Sequence, residues 1–190
     1  MRIIAGMHRG RKLLPPIGDV TRPVTDRVKQ SLFDILAPSI ADARVYDCFA
    51  GTGSMGLECL SRGAAAITFF EADRSALARL QQNVDSMDSE KRCAIVGGDL
   101  FRWFDRPPQG KTPVPADLVF LDPPYRFLRE RKGDLLKLSD QFAAAHLRAG
   151  GTVIFRHDSA DALELAPLKR YDQREYGAMT LEFLTTSASE

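Results

Sequence analysis

At 190 residues, with 44% apolar and 27% charged side chains, the chain can form one domain with a sizeable core, which excludes a disordered or fibrous protein. No apolar run approaches the roughly 18 to 20 residues that span a bilayer, and the first residues lack a basic-then-apolar signal pattern, so a cytoplasmic protein with no membrane partner is expected. The formal net charge of +1 conceals an asymmetry: residues 1–30 hold seven basic side chains (Arg2, Arg9, Arg11, Lys12, Arg22, Arg27, Lys29) against Asp19 and Asp26, which makes that end +5 and points to a polyanionic partner.

In chain order, the short apolar stretches Arg2 to Ala5 and Lys12 to Leu14 flank a segment rich in Gly and Arg, which predicts a small hairpin with Arg9 and Arg11 near its turn. From Thr25, a capping residue, Val28, Leu32, Ile35 and Leu36 recur at helical spacing until Pro38, predicting an amphipathic helix. An α/β rhythm follows. Strands are expected at Arg44 to Cys48, Ala66 to Glu71, Cys93 to Val96, Leu118 to Asp122 and Thr152 to Arg156, and helices at Ser54 to Arg62, Ser75 to Met87 and Leu135 to Leu147, the last stopped by Gly150 and Gly151. Such alternation implies a mostly parallel, doubly wound sheet. Leu168 to Glu175 and Met179 to Thr185, joined at Gly177, read as a closing antiparallel hairpin, and Pro107 to Pro115 as a polar, Pro-rich loop. The expected division is a basic hairpin extension over 1–24 and one α/β domain over 25–190. Cys48, Cys59 and Cys93 with His8, His146 and His157 show no paired or ligand spacing, so reduced buried thiols and no metal site are expected.

The segment Asp47-Cys48-Phe49-Ala50-Gly51-Thr52-Gly53-Ser54-Met55-Gly56 follows a strand and opens a helix, where open α/β sheets bind ligands. Gly51, Gly53 and Gly56 fit a dinucleotide fingerprint, with Glu71 ending the next strand about where a ribose-binding acid belongs. Against a hydride-transfer enzyme stand Asp47, which would face a pyrophosphate unfavourably, and the lack of a second domain or of a placed His or Tyr-Lys pair. The alternative is S-adenosyl-L-methionine: Asp47 would meet its ammonium, Gly51 and Gly53 its methionyl part, Glu71 both ribose hydroxyls, and Asp99 in Gly97-Gly98-Asp99-Leu100 the adenine amine. Phe49, Ala50, Ala72 and Leu100 complete the expected cofactor contacts. Glu71 as a solvated strand end and Asp99 as a helix cap are the bland readings.

Leu118 to Leu121 is an apolar run of buried-strand type that delivers Asp122-Pro123-Pro124-Tyr125 to the same edge, so this turn is expected to face the Gly-rich one. Two prolines hold it rigid and leave the Pro123 carbonyl free. An exocyclic base amine attacks a methyl sulfonium well only when acceptors hold its N–H groups and align its lone pair. Asp122 and the Pro123 carbonyl supply two acceptors, and Tyr125 can stack on a base turned out of its helix or loop. An ionised carboxylate matches guanine, with two adjacent donors, better than adenine, although Asp-Pro-Pro-Tyr also resembles the motif of adenine methyltransferases.

These residues resemble the bacterial 16S ribosomal RNA guanine-N(2) methyltransferases over nearly the whole chain. The resemblance rests on Arg2-Ile3-Ile4-Ala5-Gly6, Arg9-Gly10-Arg11-Lys12-Leu13, Arg22-Pro23-Val24-Thr25-Asp26-Arg27-Val28 leading to Leu32-Phe33-Asp34-Ile35-Leu36, the Gly-rich turn, Gly56-Leu57-Glu58, Leu60-Ser61-Arg62-Gly63-Ala64, Glu71 and Asp122 to Tyr125. It implies a seven-stranded class I methyltransferase sheet with an RNA-contacting hairpin, S-adenosyl-L-homocysteine as product, and ribosomal RNA of the 30S subunit as partner of a monomer. It also implies that Thr25 and Arg27 lie by the cofactor's methionine end. Arg9, Arg11 and Lys12, with Arg126, Arg129, Arg131 and Lys132 after the Asp-Pro-Pro-Tyr turn, are expected to contact RNA. Departures are Val24, where the family often has a second threonine, the basic stretch 126–132, and Gly177-Ala178-Met179-Thr180, which matches the family only loosely. A protein glutamine methyltransferase, which usually has Asn in place of Asp122, and a catalytically silent RNA-binding assembly factor are the rival readings.

Overall fold

The structure, a computed structural model, describes residues 1–17, 25–106 and 114–186. Arg22, Pro23 and Val24 of the motif above, and the expected loop up to residue 113, lie outside these residues. The chain divides into two compact units, Met1–Gly98 and Asp99–Glu190. No helix among the described residues is long and apolar enough to cross a membrane.

The first unit opens with the expected hairpin. Arg2 bridges Lys12, the Ile3 N–H donates to the Arg11 carbonyl and the Gly10 N–H to the Ile3 carbonyl, which buries Ile3 and Leu13 and turns Arg9 and Arg11 outward. Helix α1 (Asp26–Leu36) starts where the capping signal put it, the Thr25 hydroxyl accepting from the Val28 N–H at 3.3 Å. Strands β1 (Arg44–Cys48), β2 (Ala66–Glu71) and β3 (Cys93–Gly97) are parallel in the order β3-β2-β1, joined through α2 (Ser54–Ser61) and α3 (Arg74–Asp85). Leu57, Leu60, Ile67, Phe69, Phe70 and Leu80 fill the space between helices and sheet.

A buried charged group holds the hairpin down. The Glu58 carboxylate of α2, fully buried, accepts from the backbone N–H groups of Ile4 and Ala5 at 2.9 and 3.0 Å and pairs with Lys29 of α1 and Arg62, each at 2.9 Å. Lys29 Nζ also reaches the Arg2 carbonyl and Ser54 Oγ. A buried carboxylate survives only when paired and hydrogen-bonded. Burial pulls the Lys29 ammonium below its ordinary range, with Glu58 opposing the shift. Beside this group Ser61 takes the Met7 N–H on its carbonyl and the His8 N–H on its hydroxyl, and donates that hydroxyl to the Ala5 carbonyl. The approach is so close that Gly6, at φ +79°, has no room for a Cβ against the Ser61 carbonyl.

In the second unit, β4 (Ala116–Leu121) and β5 (Leu147–Asp158) are parallel, and β6 (Lys169–Tyr176) and β7 (Met179–Thr185) form the closing hairpin, in the order β4-β5-β7-β6 with β7 antiparallel to both neighbours. Two expectations are corrected. The helix expected over Leu135 to Leu147 is α6 (Lys132–Gln141) followed by one π turn (Phe142–His146), and the chain is already extended at Leu147. Gly150 and Gly151 therefore do not stop a helix: the pairing jumps from Ala116 with Leu147 to Leu118 with Thr152, so the glycines form a bulge inside β5, with Gly150 at φ +76°. The short helices α4 (Leu100–Asp105) and α5 (Phe127–Glu130) were not foreseen, since six and four residues are too few to show a helical period.

Candidate functional site

In the first unit β1 ends in the Gly-rich turn. Phe49 has φ +63°, an unusual conformation for a side-chain-bearing residue, and Gly51 and Gly53 have φ +56° and +85°. The Ala50 N–H donates to the Phe70 carbonyl of β2 and the Gly53 N–H to the Ala50 carbonyl, after which α2 begins at Ser54. A Cβ at Gly53 would overlap Leu80, whereas Gly51 faces open space, which leaves its backbone approachable. The two acids are differently employed. Asp47 is buried, and its Oδ2 accepts from the Gly56 N–H at 2.8 Å, so it braces the start of α2. Half-buried Glu71 ties the turn together: Oε2 accepts from the Gly51 N–H at 2.7 Å, and Oε1 from the N–H groups of Ala72 and Asp73, both at 2.8 Å. A carboxylate offers about four acceptor positions, so one remains, on Oε2. The expected pairing with both ribose hydroxyls thus has one position ready. Ala72 is exposed. Lys29 contacts Ser54, the first residue of α2, which ties α1 to the end of the Gly-rich turn, and Thr25 and Arg27 at the start of α1 are exposed. An open backbone turn followed by a carboxylate on the neighbouring strand fits a nucleoside that carries an amino acid.

In the second unit Asp99 caps α4, its Oδ1 accepting from the Phe101 N–H at 2.9 Å, and its Oδ2 accepts from Arg131 at 3.0 Å. Leu100 beside it is buried. Arg131 also donates to Asp134 and lies over the Phe101 ring at 4.2 Å. It is thus turned inward, and Arg129 is paired with Asp161 at 2.7 Å. Of the expected later basic surface, Arg126, Arg129 and Lys132 remain exposed, Arg129 while paired with Asp161 and Arg126 only 3.8 Å from Glu130. Arg9, Arg11 and Lys12 in the first unit are exposed and make no ion pair among the described residues.

Strand β4 delivers Asp122-Pro123-Pro124-Tyr125. The Pro124 carbonyl accepts the Phe127 N–H at 2.7 Å and the Tyr125 carbonyl the Leu128 N–H, which leads the turn into α5, while the Pro123 carbonyl receives no N–H among the described residues. Tyr125 is 42% exposed. Asp122 is half-buried and has a partner that sequence reasoning missed. Leu121 pairs with Phe155, so Arg156 of β5 stands next to Asp122, and its Nε donates to Oδ1 at 2.6 Å. Burial raises the Asp122 carboxyl above its ordinary value, and the Arg156 charge and hydrogen bond oppose that rise. The second oxygen, Oδ2, has no partner among the described residues. The turn therefore holds two acceptors without a partner among the described residues, a carboxylate oxygen and the carbonyl of buried Pro123. The signal for Arg156 was its register, at the end of the strand after Asp122's. For Lys29 and Glu58 it was a charge on an otherwise apolar helical face. Among the described residues no group of three or more His, Cys, Asp or Glu is placed to hold a metal.

A family model described as Conserved hypothetical protein 95 matches residues 1–185. A relative from Escherichia coli strain K12 named Ribosomal RNA small subunit methyltransferase D is 41% identical over 126 residues, 66% of this chain. That alignment spans 61% of the relative's length. The solved structure of the Escherichia coli protein yhhF is 32% identical with a TM-score of 0.82, over 100% of this chain and 99% of that one. An O-methyltransferase family protein from Burkholderia thailandensis, 18% identical with a TM-score of 0.62 over 86% of this chain and 57% of that one, shares the fold. The expected class I methyltransferase fold, seven strands with an antiparallel C-terminal strand, is thereby the fold of this chain.

Proposed function

We propose that this chain, which belongs to the Conserved hypothetical protein 95 family, transfers a methyl group from S-adenosyl-L-methionine to the 2-amino group of one guanine in small-subunit ribosomal RNA. The observation that carries the reading is the pair of acceptors without a partner among the described residues, Asp122 Oδ2 and the Pro123 carbonyl. The name and 41% identity of the Escherichia coli relative support ribosomal RNA as the polymer, and the unpaired Arg9, Arg11 and Lys12 suit its phosphates. On this reading the chain works as a single copy on the 30S particle, in the cytoplasm.

S-adenosyl-L-methionine supplies an electrophilic methyl on a sulfonium. The turn, open at Gly51 with Gly53 packed on Leu80 behind it, admits its methionyl part, Thr25 and Arg27 lie at that end, and the remaining Oε2 position of Glu71 accepts a ribose hydroxyl. Asp99 and Leu100 take the adenine, and the adenine amine must share Asp99 with Arg131. Tyr125 stacks on the target base, and Asp122 and the Pro123 carbonyl hold its N–H groups so that the nitrogen lone pair points at the methyl. As the N–C bond forms, the S–C bond breaks, and S-adenosyl-L-homocysteine leaves. The amine proton becomes acidic only then, so the Asp122 carboxylate needs no strong basicity to receive it.

The test is transfer of labelled methyl from S-adenosyl-L-methionine to 30S subunits lacking the modification, followed by nucleoside analysis. Label in N(2)-methylguanosine supports the reading. Label in N(6)-methyladenosine or in protein redirects it to another amine. RNA binding without incorporation makes the chain an assembly factor.

A further inference from the structure

We propose that Arg156 reads the 6-oxo group of the target guanine, completing with Asp122 and the Pro123 carbonyl a donor-acceptor-acceptor edge that selects guanine over adenine. The inference rests on the reading above and names its specificity device.

The Asp122–Arg156 pair is built into the strand register, since the arginine follows the residue paired with Leu121. Its side chain is only 12% exposed, so its position is set by packing. One N–H, at Nε, is used by Asp122 Oδ1. The guanidinium has five N–H groups in a planar fork, and apart from Nε the contact it makes is Nη1 at 3.9 Å from the Met179 sulfur, a weak acceptor. Donors therefore remain next to the Asp122 carboxylate, whose second oxygen has no partner among the described residues, and the Pro123 carbonyl, likewise without one, follows in the chain.

Guanine's pairing edge presents, in order, an acceptor (O6), a donor (N1–H) and a donor (the 2-amino group). Arg156, Asp122 and the Pro123 carbonyl present a donor, an acceptor and an acceptor. Adenine would set its amine against the guanidinium and its N1 lone pair against the carboxylate, leaving two charged groups unsatisfied. Sites that leave buried polar partners unpaired reject the wrong substrate far more strongly than apolar pockets do. The competing role for Arg156 is to hold Asp122 in place, and a substrate analogue separates the two.

6-Thioguanine keeps N1–H and the 2-amino group and replaces only O6, by a weaker acceptor. We would compare kcat/KM of the full-length protein on RNA with guanine or 6-thioguanine at the modified position, for the parent, Arg156→Met and Arg156→Lys. The parent is expected to prefer guanine by about 10-fold or more, the scale of one hydrogen bond to a charged donor. That preference should collapse towards unity in Arg156→Met and be partly kept in Arg156→Lys. If Arg156 only holds Asp122, both substrates slow together and the preference survives, which overturns the inference. A parent that does not discriminate overturns it too, whatever the variants' folding. A parent that leaves the guanine 2-amino group unmethylated overturns the function itself, a different result.

Discussion

Replacing Gly6 by alanine should undock the N-terminal arm while leaving the Gly-rich turn intact. Alanine in the left-handed conformation at φ +79° costs about 1–2 kcal/mol, and its Cβ would overlap the Ser61 carbonyl, so the arm must move. Movement forfeits the bonds from the Met7 and His8 N–H groups to Ser61 (2.8 and 2.9 Å), from the Ser61 hydroxyl to the Ala5 carbonyl (2.6 Å) and from the Ala5 N–H to Glu58 (3.0 Å). At about 1 kcal/mol each these amount to ~4 kcal/mol of docking free energy. Arg9, Arg11 and Lys12 then lose their fixed presentation, so the slope of log RNA affinity against log salt should fall by up to about three units, with affinity for S-adenosyl-L-methionine unchanged. Trypsin, which cleaves after these residues, reports docking independently. An arm as protease-resistant as the parent's would refute the steric argument. Rapid cleavage with an unchanged salt slope would refute the arm's role in RNA binding.

Glu71→Ala should weaken S-adenosyl-L-methionine binding by at least about 1–3 kcal/mol, because the side chain also fixes three backbone N–H groups of the turn, and unchanged affinity by calorimetry would remove Glu71 from the site. Asp122→Ala should abolish methyl transfer with cofactor binding largely intact, and near-normal turnover would sink the orienting role. Burial opposes the charge on His157, but Glu182 and the Asp158 carbonyl outweigh it, and the imidazole titrates above its usual 6.5. Its contribution to stability is therefore complete below that value and lost as pH rises through the folded one, so His157→Gln should flatten the pH dependence of Tm above pH 6.5. A parent Tm that does not fall over this range would contradict it. Burial lifts the Cys48 and Cys59 thiols well above, and Cys93 to about, 9.0 and 11 respectively, so the native protein should react with a thiol reagent at pH 8 far more slowly than the unfolded chain.

The elements with a clear period were legible. The apolar runs of β1 and β2 and the Thr25 cap were located to the residue, because burial on both faces and capping leave local marks. The bulge at Gly150 was misread as a helix stop, since a glycine with positive φ serves either purpose and only pairing with β4 decides between them. The Gly-rich and Asp-Pro-Pro-Tyr turns could be picked out by composition and order. The employment of their carboxylates could not: Asp47 on Gly56, Glu71 on three N–H groups, Asp99 on Arg131 and Asp122 on Arg156 depend on distances that spacing does not encode. Arg131 shows the converse, a residue that looks like surface charge in a basic stretch but lies over the Phe101 ring.

The Glu58 and Ser61 anchors of the arm join residues 53 to 56 positions apart in the chain, and the Asn83 anchor of Leu14 joins residues 69 apart. Closing loops of that length carries an entropy cost of roughly 3.5 kcal/mol, which the docking bonds and the burial of Ile3 and Leu13 together offset. During synthesis the arm emerges first but has nowhere to dock until α2 is made and folded against β1. On heating, release of the arm would expose Ile3 and Leu13 and uncover the Glu58 carboxylate. On the proposed function, RNA affinity should fall over the temperature range in which the arm is released.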